Sequence, residues 1–259
     1  MRKRFRNTIR RNLPAAWGII IFLVLWHFFC ALGAVPEYML PSPSDVVKAF
    51  IDDRKLLFEN AVITLKEAFI GLLSGVTVGF TAAVIMDSVE FLRRGIYPLM
   101  VLSQTVPTVA IAPLLVLWFG YEMTPKIILI VLSTFFPVAI GLLGGFESAD
   151  KDTVALLRSM GANRKQIFLY IKLPSALPEF FASLKIAASY SVVGAVISEW
   201  LGGFGGLGVY MTRVKKAFAF DRMFAVIFLI STISLVLTAL VSLAEKKSMP
   251  YRHINNAKE

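Results

Sequence analysis

Between residues 151 and 178, KDTVALLRSMGANRKQIFLYIKLPSALP, the cations Lys151, Arg158, Arg164, Lys165 and Lys172 stand against Asp152 alone. A basic, half-apolar segment of this kind suits two tasks: lying on anionic lipid, or docking against another protein. Its punctuation predicts two short helices. Asp152 is placed to cap a helix through Met160, with Val154, Leu157 and Met160 on one apolar stripe. Gly161 is placed to stop it in a left-handed conformation, and Asn163 to start the next turn. The second piece, 164–173, is expected to end at Pro174.

Catalytic chemistry finds no foothold elsewhere. The sequence contains no GxxxxGK[ST] phosphate loop, and no Gly-Lys pair at all. The glycine-rich stretch 202–208 lacks the lysine and hydroxyl of a nucleotide site and reads as a flexible re-entrant turn. HExxH, GxSxG and a carboxylate pair within one apolar run are all missing. Cys30 is the only cysteine, and His27 and His253 are too far apart for a histidine metal motif. An ion-coupled carrier needs ionisable groups at mid-membrane. Lys185 lies within snorkelling reach of one membrane face, and Glu199 sits beside Trp200 at the other. Lys66 and Glu67 likewise read as interfacial.

The elements that must position these residues are membrane spans. The 259-residue chain is 57% hydrophobic, with a mean hydropathy of +0.71. Long uncharged runs at that composition predict an all-α polytopic membrane protein. Six spans are expected, at about 14–34, 61–86, 96–119, 126–146, 179–200 and 223–244. The basic start followed by an apolar run reads as an uncleaved first helix. Ser44 or Asp45 is expected to cap a short helix into Phe58, residues 87–95 to form a polar loop, and Thr124-Pro125 to open the fourth span. Pro98, Pro107 and Pro113 interrupt the third span, and Ser103, Gln104, Thr105 and Thr108 cluster at its bend. These polar groups either line a solute path or bond across a helix interface. Lys and Arg number 17 on the side of the termini and of the 147–178 loop, against 8 on the other. That bias places both termini and the loop in the cytoplasm of a bacterial plasma membrane. With so apolar a chain, the net charge of +10 sets topology rather than nucleic-acid binding. Arg213, Lys215, Lys216 and Arg222 are the exception, a candidate docking surface on the outer side.

Gly161, nine residues, Ile171, one residue, then Leu173-Pro174 resembles the signature loop of the permeases of ABC importers. In that family the loop forms a coupling helix seated in a groove of the ATPase subunit. The resemblance covers nearly the whole chain, most specifically 60–243. It implies six spans with a cytoplasmic coupling helix between the fourth and fifth, in the loop 147–178. It implies ATPase contact through Leu156, Leu157, Arg158, Met160, Gly161, Ala162, Ile171, Leu173 and Pro174. The family's usual Glu-Ala-Ala is here Ala155, Leu156 and Leu157, so the acidic residue is missing. Gly206-Leu207-Gly208 resembles a family element after the fifth span, which implies a gate or receptor contact. Gln104, Thr105, Thr108 and Glu199 are the candidate path residues. The segment Tyr38-Met39-Leu40-Pro41-Ser42-Pro43 resembles the nitrate/sulfonate/taurine branch, which also handles pyrimidine thiamine precursors. The implied partners are a second copy of the chain, two cytoplasmic ATPase subunits holding ATP and magnesium, and one external binding protein. The chain itself is then no enzyme and needs no cofactor. The alternatives are a carrier driven by an ion gradient and a membrane scaffold that moves no solute.

Overall fold

The computed structural model describes residues 17–249 apart from 19, 34, 35, 37 and 38. The basic N-terminal arm, the start of the first expected span, Tyr38 and the tail with His253 lie outside the described residues. The described residues are helical throughout, and two compact units divide them: residues up to 58 with 210–229, and 59–209 with 230 onward.

In the first unit lie α1 (Ile20–Ala31) and α2 (Pro43–Asp52). Ser42, not Ser44 or Asp45, caps α2, accepting from the Asp45 amide at 3.3 Å, with Pro43 in the first turn. α2 stops at Asp52, short of Phe58, and the next helix begins at Arg54. Trp26 packs on Phe224 and Phe228, with ring centroids 5.8 and 5.7 Å away. Asp53 accepts from the Tyr210 hydroxyl at 2.6 Å and pairs with Arg222. Burial, and then the Asp53 carboxylate, push that hydroxyl well above the ordinary phenol range.

α3 (Arg54–Ser88) runs on into the second unit. Its 35 residues would extend about 50 Å, more than a hydrocarbon core requires. That unit also holds α4 (Glu90–Thr105), α5 (Thr108–Phe119), α6 (Met123–Glu147), α7 (Lys151–Ser159), α8 (Arg164–Ile167) and α9 (Leu173–Leu201). α10 (Leu207–Lys216) starts there, and α11 (Phe220–Ser248) ends there. α6 and α9 pack against each other extensively. A Cβ on Gly145 would lie 2.6 Å from the Ala176 Cα, so the small residue permits a close backbone approach. Met86, Met100, Val138, Leu142, Phe146, and the alanines 176 and 187 fill the core around this contact.

Among the described residues, four helices are long and apolar enough to cross a membrane: α3, α6, the run Arg164–Leu201, and α11. A fifth exists if α4 and α5, bent by 96° at their break, are one interrupted span. α1 is apolar but shorter over its described residues. Three local expectations change. Residues 87–95 are not a loop, because α4 begins at Glu90 and carries Arg93 and Arg94. Glu122 rather than Thr124 stands at the N-cap of α6, without a side-chain bond. Pro174 does not end the second piece: a π turn, Phe168–Lys172, joins α8 to α9 without a stop. There the Leu173 amide reaches back to the Phe168 carbonyl, a widened turn that accommodates a proline at the following position.

Candidate functional site

The segment from α7 to α9 is held by local caps. Asp150, not Asp152, caps α7: its carboxylate accepts from the amides of Asp152 and Thr153 at 3.1 and 3.2 Å, and from the Thr153 hydroxyl. The hydroxyl bond first, and then the two amides, hold this carboxyl below the usual carboxylate range. At the other end the Ala162 amide donates to the Leu157 carbonyl and the Gly161 amide to Arg158, with Gly161 at φ +87°. This is the six-to-one, five-to-two pairing of a Schellman stop, and it needs the left-handed residue there. Asn163 and Gln166 then exchange side-chain and backbone bonds at 2.9 and 2.8 Å in a capping box.

This framework sorts the side chains. Ile167 and Ile171 turn inward, Phe168 meets Phe146 edge-on, and Lys172 is taken by Asp87 at 2.6 Å. Leu156, Met160 and Tyr170 face outward at 61, 75 and 72% exposure, with Arg158, Arg164 and Lys165 exposed among them. Of the expected stripe, Val154 and Leu157 are half-buried and Met160 is not. The expected coupling residues therefore divide. Leu156, Arg158, Met160 and Gly161 form an accessible surface, Ala162 and Leu157 are half-buried, and Ile171 and Leu173 anchor the segment to the core.

Residues 202–208 are far from a flexible turn. Asn60 and Thr64 on α3 and Glu199 on α9 receive the three amides that open α10. Gly206 donates to Asn60 Oδ1 at 2.9 Å, Leu207 to Thr64 Oγ1 at 2.8 Å, and Gly208 to Glu199 Oε2 at 2.6 Å. Thr64 in turn donates to Glu199 Oε1 at 2.7 Å. A helix start presents amides without in-helix partners, and a carboxylate there also meets the favourable end of the dipole. Gly206, at φ +111°, is packed so closely that a Cβ would fall 2.1 Å from Glu199 Oε1. Beside them Lys126 on α6 donates to Glu67 on α3 at 2.5 Å, and a Cβ on Gly203 would lie 3.3 Å from the Lys126 Nζ. Glu67, Lys126 and Glu199 are each no more than 5% exposed. The interfacial reading of Glu67 and Glu199 is thus corrected, because both carboxylates are sealed inside the helix packing. Lys185 does not snorkel alone either; it pairs with Glu245 at 2.5 Å. The signal available in the sequence was three ionisable residues near the ends of apolar runs, with two acids and one base among them.

At the break between α4 and α5, Val106 and Pro107 are extended, as a residue before proline must be. A cavity of about 300 Å³ opens there against α6 and α9, lined by Ser103, Gln104, Thr108, Ser133 and Tyr190 together with apolar groups. Gln104 and Thr108 are among the expected path residues. Thr105 and Glu199 are not in this lining. The Ser103 and Thr105 hydroxyls donate to carbonyls of their own helix, Met100 and Leu102, rather than across an interface.

The profile of a family described as binding-protein-dependent transport system inner membrane component matches residues 75–249. The formylaminopyrimidine transport permease of Halalkalibacterium halodurans is 36% identical over 248 residues, covering 94% of this chain and 99% of the relative. The taurine transport system permease of Escherichia coli K12 is 27% identical over 260 residues, covering 96 and 94%. Among solved structures, a bacterial ABC transporter involved in import of the acidic polysaccharide alginate superposes with a TM-score of 0.64. It is 16% identical and covers 94% of this chain and 99% of the matched chain, a likeness of fold.

Proposed function

This chain belongs to the family of binding-protein-dependent transport system inner membrane components, and from that premise we propose that it is the six-span permease of an ATP-driven importer. Two copies of the chain would form the membrane core. Two cytoplasmic ATPase subunits, which hold ATP and magnesium, would each engage one α7–α8 segment, and one external binding protein would deliver the solute. ATP-driven closure of the ATPases draws the two segments together, and the spans rock to open the path outward. Hydrolysis then resets the inward-facing state. The charge bias of the loops supports cytoplasmic termini and a cytoplasmic α7–α8 segment. The solute is a small oxyanion of the sulfonate, taurine or nitrate kind, or a pyrimidine-type precursor like that named for the relative at 36% identity.

One observation carries this reading: α7 is capped at both ends and α8 at its start, yet they present Leu156 and Met160 to solvent beside Arg158 and Arg164. A folded helix pair with its apolar side chains turned outward is a surface prepared for a protein partner. Gentle purification of the tagged chain from native membranes tests it. A stoichiometric ATPase that is lost in a Gly161→Val variant is the expected result; a chain that elutes alone in mild detergents contradicts it. An ion-gradient-driven carrier is the second reading, and the buried Glu67, Lys126 and Glu199 are the observation in its favour. Import by the chain alone, driven by an ion gradient, would establish that reading instead.

A further inference from the structure

We infer that the cavity at the α4–α5 break is a subsite for an uncharged, planar nitrogen heterocycle that carries both hydrogen-bond donors and acceptors. The inference rests on the permease reading and deepens it, by choosing between the solute classes that reading leaves open.

Charge sets the first constraint on what this cavity can hold. No Lys, Arg, His, Asp or Glu lines the cavity; its polar groups are the Ser103, Thr108 and Ser133 hydroxyls, the Gln104 amide and the Tyr190 phenol. A sulfonate or nitrate moved here would give up hydration without a paired cation, which is costly in an apolar setting. The buried lysine of the same unit cannot be recruited, since Lys126 is bonded to Glu67. The start of α5 offers only the partial charge of a helix end.

The pattern of donors and acceptors sets the second. The Gln104 amide presents a donor and an acceptor in one plane. That pair matches the ring-nitrogen and amino edge of an aminated heterocycle, as glutamine does when it reads adenine. Ser133 donates to the Leu129 carbonyl and Ser103 to Met100, so both turn oxygen lone pairs to other partners. The Tyr190 ring, half exposed, provides a flat face for stacking. Val193 and Ile197 complete the apolar wall. The volume, about 300 Å³, is at the small end of ligand pockets. Irregular backbone inside a membrane is tolerated where it lines such a cavity, and transporter solute sites are built at helix breaks of this kind.

The test uses the full chain in lipid nanodiscs with three probes at pH 8: 4-aminopyrimidine, taurine and nitrate. Ligand-observed saturation transfer reads the two organic probes, and thermal shift reads all three. Binding of the aminopyrimidine alone is expected, weakened about tenfold by Gln104→Leu or Tyr190→Leu, the loss of roughly one good polar or stacking contact. Tyr190→Phe, which keeps the ring, is expected to retain most of the binding and shows that the site tolerates substitution. Binding of taurine or nitrate, aminopyrimidine binding indifferent to both leucine variants, or no binding of any probe would each overturn the inference. The permease reading fails separately: a chain that brings down its ATPase yet binds taurine loses only this subsite assignment.

Discussion

On α7 and α8 the cations Arg158, Arg164 and Lys165 stand exposed, and every bond that shapes the segment joins residues within five positions of each other. Around Glu199 the reverse holds. Charged and polar side chains are buried, and all but one of the bonds named for them, Gly208 to Glu199, join residues 59 to 146 positions apart, from Glu67–Lys126 to Asn60–Gly206. The difference separates two tasks. Local caps let α7 and α8 keep their shape while their outer face stays exposed, as the proposed docking role requires. The buried cluster fixes three membrane helices and the start of α10 to one another, so its charge serves position rather than contact.

Breaking the buried cluster should have the largest effect. Lys126→Met leaves the Glu67 carboxylate buried without its cation, which costs about 3–5 kcal/mol. Thermal unfolding in mild detergent should show a large loss, and Glu67→Leu combined with Lys126→Met should recover part of it. If the single variant matches the wild-type chain, the pair is not buried in the membrane-embedded protein. Next comes Gly206→Ala, where the new Cβ meets the Glu199 carboxylate at a left-handed φ. Strain of about 1–3 kcal/mol is expected there, with faster amide exchange at residues 206–208. Unchanged exchange would mean the α10 start is not pinned.

The exposed segment should respond differently. Gly161→Val forces a β-branched residue into the left-handed region, about 1–2 kcal/mol of local strain, yet its Cβ meets nothing within 4 Å. The unfolding midpoint should therefore barely move while ATPase association is lost; a collapse of the whole fold would erase the contrast between the two regions. The smallest effect belongs to Asp150. Its carboxyl titrates lower in the folded chain than in the unfolded one. Its contribution is thus complete above the ordinary carboxylate range and fades as pH falls through the depressed value. A spin label placed by Ser159→Cys in a Cys30→Ser chain should gain mobility below about pH 4. In an Asp150→Ser background, where the cap does not titrate, that pH response should vanish.

The same contrast explains what could be read from the sequence. Gly161 and Asn163 were legible as stop and start because capping is chemistry between near neighbours. The errors there, Asp152 for Asp150 and a stop at Pro174, arose where two carboxylates competed for one cap and where a π turn absorbed the proline. The apolar cores of α3, α6, α9 and α11 were visible as long hydrophobic runs. The cluster at Glu199 was not, because nothing local tells a glutamate at a helix end that faces lipid headgroups from one that meets a threonine 135 residues away. Of the expected path residues, Gln104 and Thr108 were marked by the prolines that bend the chain. Ser133 and Tyr190, on helices without such a mark at those positions, needed the packing to bring them in.

The docking role of the exposed segment is tested most directly by a photocrosslinker attached through Met160→Cys in a Cys30→Ser chain, illuminated in native membranes. The expected result is a single dominant adduct with a P-loop ATPase, diminished by Gly161→Val. Adducts to lipid alone, in a chain that still imports its solute, would contradict it.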